Sequence, residues 1–526
     1  MAEPFNVATE FVDRNVLEGR AERIAIECGS EQVSYRGLLS KTNRFGNVLR
    51  RLGIGREERV VLLLLDVPEF LSSFFGTIKM GAVAVPVNTQ LRPAEYEYVL
   101  NDTRARIAVV SAELLSQVES IPPDRLAYLE TIIIVGGGDG RYASLQNLMD
   151  TASEELEAEP MTRDDVAFWL YSSGSTGAPK GCVHLHHDMV VATEHYAKPV
   201  LRMDARDRCY SVPRLFFAYG LGNAGYFPLY FGATTIHSPA RPTPATIFAD
   251  IERHRPTLFF SVPTNYAALV AHEPERGFDL SSVRHAVSAG EALPAPVFHR
   301  FKERFGIEIL DAWGSTETLH MAISNRPGDV KPGSSGKVLP GYEAKIVNTD
   351  GQPVAPGEIG NLLVKADSTC SGYWNQHERT KQAFEGQWFR TGDKYHQDED
   401  GYFWYAGRTD DLFKVSGKWV SPVEVESALL EHAAVGEAAV VARDEEGLAK
   451  PAAYVVLSPG SKPSAALTGE LQEWVGQRIG GYKRPRWIEY VDELPKTATG
   501  KLQRFKLRER AQKHAGVLRV RDSHGM

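Results

Sequence analysis

Tyr171-Ser172-Ser173-Gly174-Ser175-Thr176-Gly177-Ala178-Pro179-Lys180-Gly181 is the stretch on which the reading of this chain turns. It follows an apolar run, Val166-Ala167-Phe168-Trp169-Leu170, and precedes a segment, 188–196, expected to be helical. Ser172, Ser173, Ser175 and Thr176 offer hydroxyls, and Lys180 adds positive charge. Gly174, Gly177 and Gly181 let backbone N–H groups approach an anion closely. At a strand-to-helix turn such a string predicts a phosphate cradle. Its spacing is not that of the usual P-loop, because Gly181 rather than Ser or Thr follows the lysine and Pro179 precedes it.

The surrounding chain suits a small-molecule enzyme. Its 526 residues suggest three or four domain-sized units. With 43% hydrophobic and 24% charged residues, the composition is that of a soluble globular protein. A net charge of −8 argues against a nucleic-acid surface. The four cysteines, Cys28, Cys182, Cys209 and Cys370, are scattered and form no CxxC motif, so a reducing cytoplasm is expected. There is no signal-peptide pattern at the start, and no run approaches the roughly 20 apolar residues of a membrane helix.

Strands are expected at 59–66, 82–87, 107–111, 131–135, 257–262 and 283–288, with amphipathic helices at 35–52 and 244–254. This alternation predicts an α/β fold of layered parallel sheets. After about Pro332 glycine and proline become frequent. Turn signals at Asn348-Thr349-Asp350-Gly351 and Asp398-Glu399-Asp400-Gly401 predict a small β-rich unit ending near Arg408. From about Asp410 a separate α+β domain is expected, with helices at 422–432 and 467–479 and strands at 437–441 and 452–457. The division is thus a large domain, 1–409, and a small one, 410–526.

Four more motifs follow in order. They are Asp311-Ala312-Trp313-Gly314-Ser315-Thr316-Glu317, Trp388-Phe389-Arg390-Thr391-Gly392-Asp393, Gly407-Arg408-Thr409-Asp410-Asp411, and Pro495-Lys496-Thr497-Ala498-Thr499-Gly500-Lys501. Together with the opening stretch they resemble the signature segments of the adenylate-forming superfamily, which includes acyl-CoA synthetases, luciferases and peptide-synthetase adenylation domains. The resemblance implies that a carboxylate attacks the α-phosphate of ATP. Both reactants are anions, so Mg²⁺ and lysines must neutralise charge as they meet.

The resemblance also implies roles. ATP and AMP fall to Ser172, Ser173, Gly174, Ser175, Thr176, Gly177, Lys180, Gly290, Glu291, Ala292, Asp311, Ala312, Trp313, Gly314, Ser315, Thr316, Asp393, Arg408 and Lys501. Lys501, Glu317, Thr176 and Lys180 are the catalytic set, with Thr176 and Glu317 on the metal. Asp393 can accept from both ribose hydroxyls, since a carboxylate has two acceptor oxygens. Asp410 matches the hinge about which the small domain turns, making it mobile. After the turn, Ser416, Gly417, Lys418 and Trp419 would line the path of coenzyme A, and Lys483 would meet its nucleotide phosphates.

The segment Phe216-Phe217-Ala218-Tyr219-Gly220-Leu221-Gly222-Asn223 and the His320 that follows the Trp-Gly-Ser-Thr-Glu string look most like benzoate–CoA ligases. Phe217, Ala218, Tyr219, Gly314, His320 and Met321 then line a flat apolar slot, with Tyr219 and His320 as its polar contacts. Ala322 stands where that group often has a bulkier residue, which leaves room for a ring substituent. The expected substrate is benzoate or a small substituted benzoate, such as 2-aminobenzoate or a hydroxybenzoate. The acyl acceptor is expected to be CoA, with a carrier-protein thiol as the rival, and a homodimer stays open. A binding protein with a dead site conflicts with the intact Lys180, Glu317, Asp393 and Lys501. A serine hydrolase lacks its GxSxG elbow, and His184, His186 and His187 lack zinc-ligand spacing.

Overall fold

The computed structural model describes residues 3–137, 140–172, 179–272, 277–409, 411–415, 418–445, 448–496 and 502–521. Among these, two large sheets form the body. One runs Ala143–Ser144, Thr131–Val135, Ile107–Ser111, Arg59–Leu63, Val83–Pro86, Val166–Ser172, Lys180–Leu185 in spatial order. The other centres on Arg208–Ser211, Leu258–Ser261, His285–Ser288 and Ile309–Gly314, which are parallel neighbours. Their strands are apolar on both faces, as in the fully buried Val83–Pro86 and Ile107–Ser111, because helices cover both sides.

The helix Tyr35–Arg51 shows how local signals set an element. Ser34 caps it by accepting from Gly37 N, and its apolar face packs on the helix Pro68–Lys79. The crossing depends on two glycines: a Cβ on Gly76 would lie 2.6 Å from the Thr42 carbonyl oxygen, and one on Gly46 would lie 3.0 Å from that of Gly76.

The expected helix at 188–196 appears as Asp188–Ala192 continued by a wider turn, Thr193–Ala197. The strand-to-helix expectation for the opening stretch is corrected: Val166–Ser172 leads into a second strand, Lys180–Leu185, antiparallel to it with Ser172 opposite Lys180. The second strand is held from its other side by the segment around Tyr373. Val183 N donates to Gly372 O at 3.0 Å and Trp374 N to Gly181 O at 2.8 Å.

A five-stranded antiparallel sheet follows, built from Glu343–Val347, Gly360–Lys365, Phe384–Glu385, Trp388–Gln397 and Phe403–Arg408. Beyond it lies a smaller α+β unit. Its sheet, Val435–Glu445, Leu448–Leu457 and Trp487–Tyr490, is packed by the helices Pro422–Leu430, Ala465–Ile479 and Arg504–Arg521 around a core of its own. A large α/β N-terminal part followed by a small C-terminal one is the architecture expected from the alternation of elements.

Candidate active site

Open parallel sheets bind ligands beyond the carboxyl ends of their strands. Here the ends of His285–Ser288 and Ile309–Gly314 put two predicted segments side by side. Gly290, at φ +91°, turns the chain after the first strand, and Glu291 and Ala292 follow in the loop. Leu293 N then donates to Asp311 Oδ2 on the second strand at 3.2 Å. Asp311 is buried, and burial pushes its carboxyl well above the usual range. Ala312, Trp313 and Gly314 complete that strand, and Ser315 N donates to Thr318 Oγ1 at 3.1 Å in the turn that presents Glu317.

Lys180 begins the strand opposite Ser172 and meets Glu317 across 137 residues of sequence. Its Nζ lies 3.4 Å from Glu317 Oε1. Tyr373 joins them. Its hydroxyl donates to the same oxygen at 2.8 Å, accepts from Lys180 Nζ at 3.1 Å, and its ring centroid is 4.2 Å from that ammonium. Burial and the Glu317 carboxylate both push the Tyr373 hydroxyl up, so it remains a donor. Glu317 is thereby fixed by a cation and a neutral donor on one oxygen. Tyr373 was missed in the sequence. Its one local signal is the aromatic pair Tyr373-Trp374 in an otherwise polar segment.

Asp393 sits buried with both oxygens engaged. Trp313 Nε1 donates to Oδ2 at 2.8 Å and Arg408 Nη1 to Oδ1 at 3.0 Å. Burial raises its carboxyl pKa, against the opposing pull of Arg408 and Trp313. Each oxygen keeps a second lone pair, which suits a vicinal diol. Arg408 binds Asp393 itself in this arrangement.

The third group is aromatic. The helix Ala218–Leu221 starts after Phe217, whose ring lies 4.5 Å from that of Phe216. Tyr219 and His320 are 5.7 Å apart between ring centroids, and Phe227 closes on His320 at 4.5 Å. Ala218 and Met321 are buried beside them. The polar ends of this wall turn towards protein: Tyr219 OH donates to Val287 O at 3.1 Å, and His320 Nε2 bonds Asn223 Oδ1 at 3.1 Å. Tyr219 thus offers its ring rather than its hydroxyl to this space. Asn223 is a second residue that sequence reading did not single out.

Two predictions arise here. Burial lowers the His320 pKa to about 3, so the ring stays uncharged across the working range. The KM for an aromatic acid should therefore be flat from about pH 6 to 8.5, where an unperturbed histidine would titrate near 6.5. A step near 6.5 that disappears in His320→Asn would contradict this. Gly222→Ala places a Cβ 2.3 Å from His320 Cδ2, on a ring already held by Asn223. The ring must shift, and the KM for the acid should rise about 10-fold or more, with about 1–3 kcal/mol of folding stability lost. Wild-type steady-state kinetics in this variant would argue against the placement of the wall.

The remaining predicted residues fall elsewhere. Lys418 and Trp419 are exposed on a strand paired with Phe413–Val415, and Lys418 Nζ is 5.1 Å from the Tyr482 ring centroid. Lys483 pairs with Glu424. Among the described residues no hydrogen bond or ion pair joins these three to Glu317 or Asp393. Ser173, Gly174, Ser175, Thr176, Gly177, Asp410, Ser416, Gly417 and Lys501 lie outside the described residues. Immediately after Lys501, Leu502 N donates to Glu291 Oε1 at 3.1 Å, which joins that end of the small unit to the loop beyond Gly290.

Comparison with known proteins adds the following. Residues 12–374 match the model of the AMP-binding enzyme family, and residues 424–501 match that of the AMP-binding enzyme C-terminal domain. The chain is 47% identical to a benzoate–CoA ligase of Thauera aromatica, over 96% of each chain. It is 46% identical to a 4-hydroxybenzoate–CoA/benzoate–CoA ligase of Rhodopseudomonas palustris, over 96% of this chain and 94% of the other. Among solved structures, the anthranilate CoA ligase AuaEII in complex with anthranoyl-AMP aligns with a TM-score of 0.94 and 44% identity, over 98% of this chain and 99% of that one. A benzoate CoA ligase from Burkholderia xenovorans aligns at 0.89 and 42%, over 96% and 100%.

Proposed function

This chain belongs to the AMP-binding enzyme family, and from that premise we propose how its site works: the protein is an ATP-dependent, AMP-forming aryl acid–CoA ligase. In the first half-reaction a carboxylate oxygen of the acid attacks the α-phosphorus of ATP and pyrophosphate leaves. In the second, the thiol of CoA attacks the carbonyl of the mixed anhydride and AMP leaves. The observation that carries this reading is the meeting of Lys180, Glu317 and Tyr373 from three distant segments at one point.

We assign the residues as follows. Lys180 sets a cation beside the phosphates. Asp393, held by Trp313 and Arg408, accepts from the ribose hydroxyls. Phe217, Ala218, Tyr219, Gly314, His320 and Met321 exclude water around the ring of the acid. Magnesium fits this site: Glu317 supplies a hard carboxylate oxygen, and Mg²⁺ is commonly held by one or two carboxylates plus substrate phosphates. Glu317 and Thr176 would hold the ion, and when bound it neutralises phosphate charge as the acid approaches. Lys501 bridges the attacking carboxylate and the α-phosphate. The small domain, 410–526, turns about Asp410 between the two half-reactions and brings Ser416, Gly417, Lys418 and Trp419 to the thiol path.

The substrate is benzoate or a small substituted benzoate. The likeness to benzoate and anthranilate ligases, with the small Ala322 next to Met321 in the chain, supports a slot that takes a modest ring substituent. The setting is cytoplasmic, supported by four free cysteines. A panel of acids tests the substrate: benzoate, 2-aminobenzoate and hydroxybenzoates should be turned over, and medium-chain fatty acids should not. Preference for the fatty acids would overturn the assignment of the slot.

A further inference from the structure

The strand Lys180–Leu185 turns Lys180, Cys182 and His184 to the same side, since alternate residues share a face. Lys180 reaches the Glu317 carboxylate. His184, four residues on, reaches the backbone beside it, with Nε2 2.9 Å from the carbonyl oxygen of Thr316. Two more bonds hold the next two carbonyls: Cys370 N donates to Glu317 O at 2.7 Å, and Ser368 Oγ donates to Thr318 O at 2.8 Å. Of these three anchors, His184 alone comes from the strand that carries Lys180.

The ring of His184 is itself fixed. A carbonyl oxygen only accepts, so Nε2 carries a proton. Nδ1 faces Asp188 Oδ2 at 2.7 Å, an oxygen that also accepts from Leu185 N at 3.1 Å. His184 and Asp188 are both fully buried, and Phe168 stacks on the imidazole at 5.0 Å with an interplanar angle of 14°. Water therefore does not compete for these bonds, and the ring has one orientation.

We propose that His184, oriented by Asp188, is a positioning residue for Glu317: it ties the backbone just before the metal-binding carboxylate to the strand bearing Lys180, so that the two charges keep their spacing on the triphosphate. This rests on the assignment of Glu317 to Mg²⁺. Of the neighbouring histidines, His186 turns to Val7 N, while His187 bonds the carbonyls of Arg163 and Asp367 and sets Nε2 3.2 Å from the other oxygen of Asp188, Oδ1. Partners that orient metal ligands are typically worth about 10–100-fold in metal affinity.

The test is calorimetric titration of the full chain with ATP, with and without MgCl₂, in wild type, His184→Ala, His184→Gln and Asp188→Asn. His184→Ala should weaken MgATP binding about 10–100-fold and leave metal-free ATP binding within about two-fold. His184→Gln, which keeps a donor for Thr316 O, should recover most of the loss, and Asp188→Asn should fall between. Consumption of supplied benzoyl-adenylate by CoA should be nearly unchanged in all three. Equal losses with and without Mg²⁺, no loss in His184→Ala, or parallel loss of both half-reactions would overturn the proposal. If His184→Ala does not fold, Asp188→Asn decides: an MgATP-specific loss supports the proposal, and wild-type binding overturns it. If wild type itself binds MgATP no better than ATP, the assignment of Glu317 to the metal fails, and this proposal with it.

Discussion

Lys501→Ala should slow formation of the aroyl-adenylate by about 100- to 1000-fold, the loss typical when one charged stabiliser of a transition state is removed. The effect is electrostatic. The carboxylate and the triphosphate repel each other, and the barrier contains that repulsion. A lysine is suited to the task because its compact ammonium on a flexible stem can reach a low-dielectric site and withdraw from it. The neighbouring residue, Leu502, already bonds Glu291 in the loop that follows Gly290. The second half-reaction does not bring two anions together at phosphorus. Supplied benzoyl-adenylate should therefore be converted to the thioester at close to the wild-type rate. Single-turnover measurements of the two steps check this, and an equal loss in both would remove Lys501 from the adenylation step.

Asp393→Ala should lower kcat/KM for ATP by about 100- to 10,000-fold, because each hydrogen bond from a ribose hydroxyl to a buried carboxylate is worth about 1.5–3 kcal/mol. The larger loss should fall on ATP. Removing the carboxylate strands Arg408, whose half-exposed side chain water can reach, and leaves the buried Trp313 N–H without its acceptor. The folding cost should be about 1–3 kcal/mol. A thermal melt beside the ATP kinetics separates the two. A large fall in melting temperature with little change in the KM for ATP would mean that Asp393 braces the fold and does not hold the nucleotide.

The elements that were legible before the structure are those whose signals are local. The buried strand at 107–111 and the helix at 244–254 have the bounds expected. The helix from Tyr35 begins directly after its serine cap. Lys180 and Glu317 stand out in the sequence because their motifs keep a fixed order, and the fold brings the two together. What was not legible depends on partners far along the chain. Lys180–Leu185 forms a strand because Val166–Ser172 on one side and the segment at 372–374 on the other supply its backbone bonds. Tyr373 matters only because folding carries it to Glu317, 56 residues away, and Asn223 because it meets His320, 97 residues away. Tyr219 was expected to offer a polar contact, yet two backbone carbonyls at the ends of neighbouring strands take its hydroxyl. No spacing in the sequence encodes that preference. It follows from the cost of burying an unpaired hydroxyl or carbonyl.

The proposed activity stands on one chemical event, the reversible exchange of pyrophosphate for an aromatic carboxylate at the α-phosphorus. Isotope exchange between labelled pyrophosphate and ATP, run with Mg²⁺ and without CoA, measures it directly. Exchange should be negligible with enzyme alone, appear when benzoate or a small substituted benzoate is added, and fall about 100- to 1000-fold in Lys501→Ala. Absence of exchange with every aromatic acid, or release of orthophosphate and ADP in its place, would contradict the account.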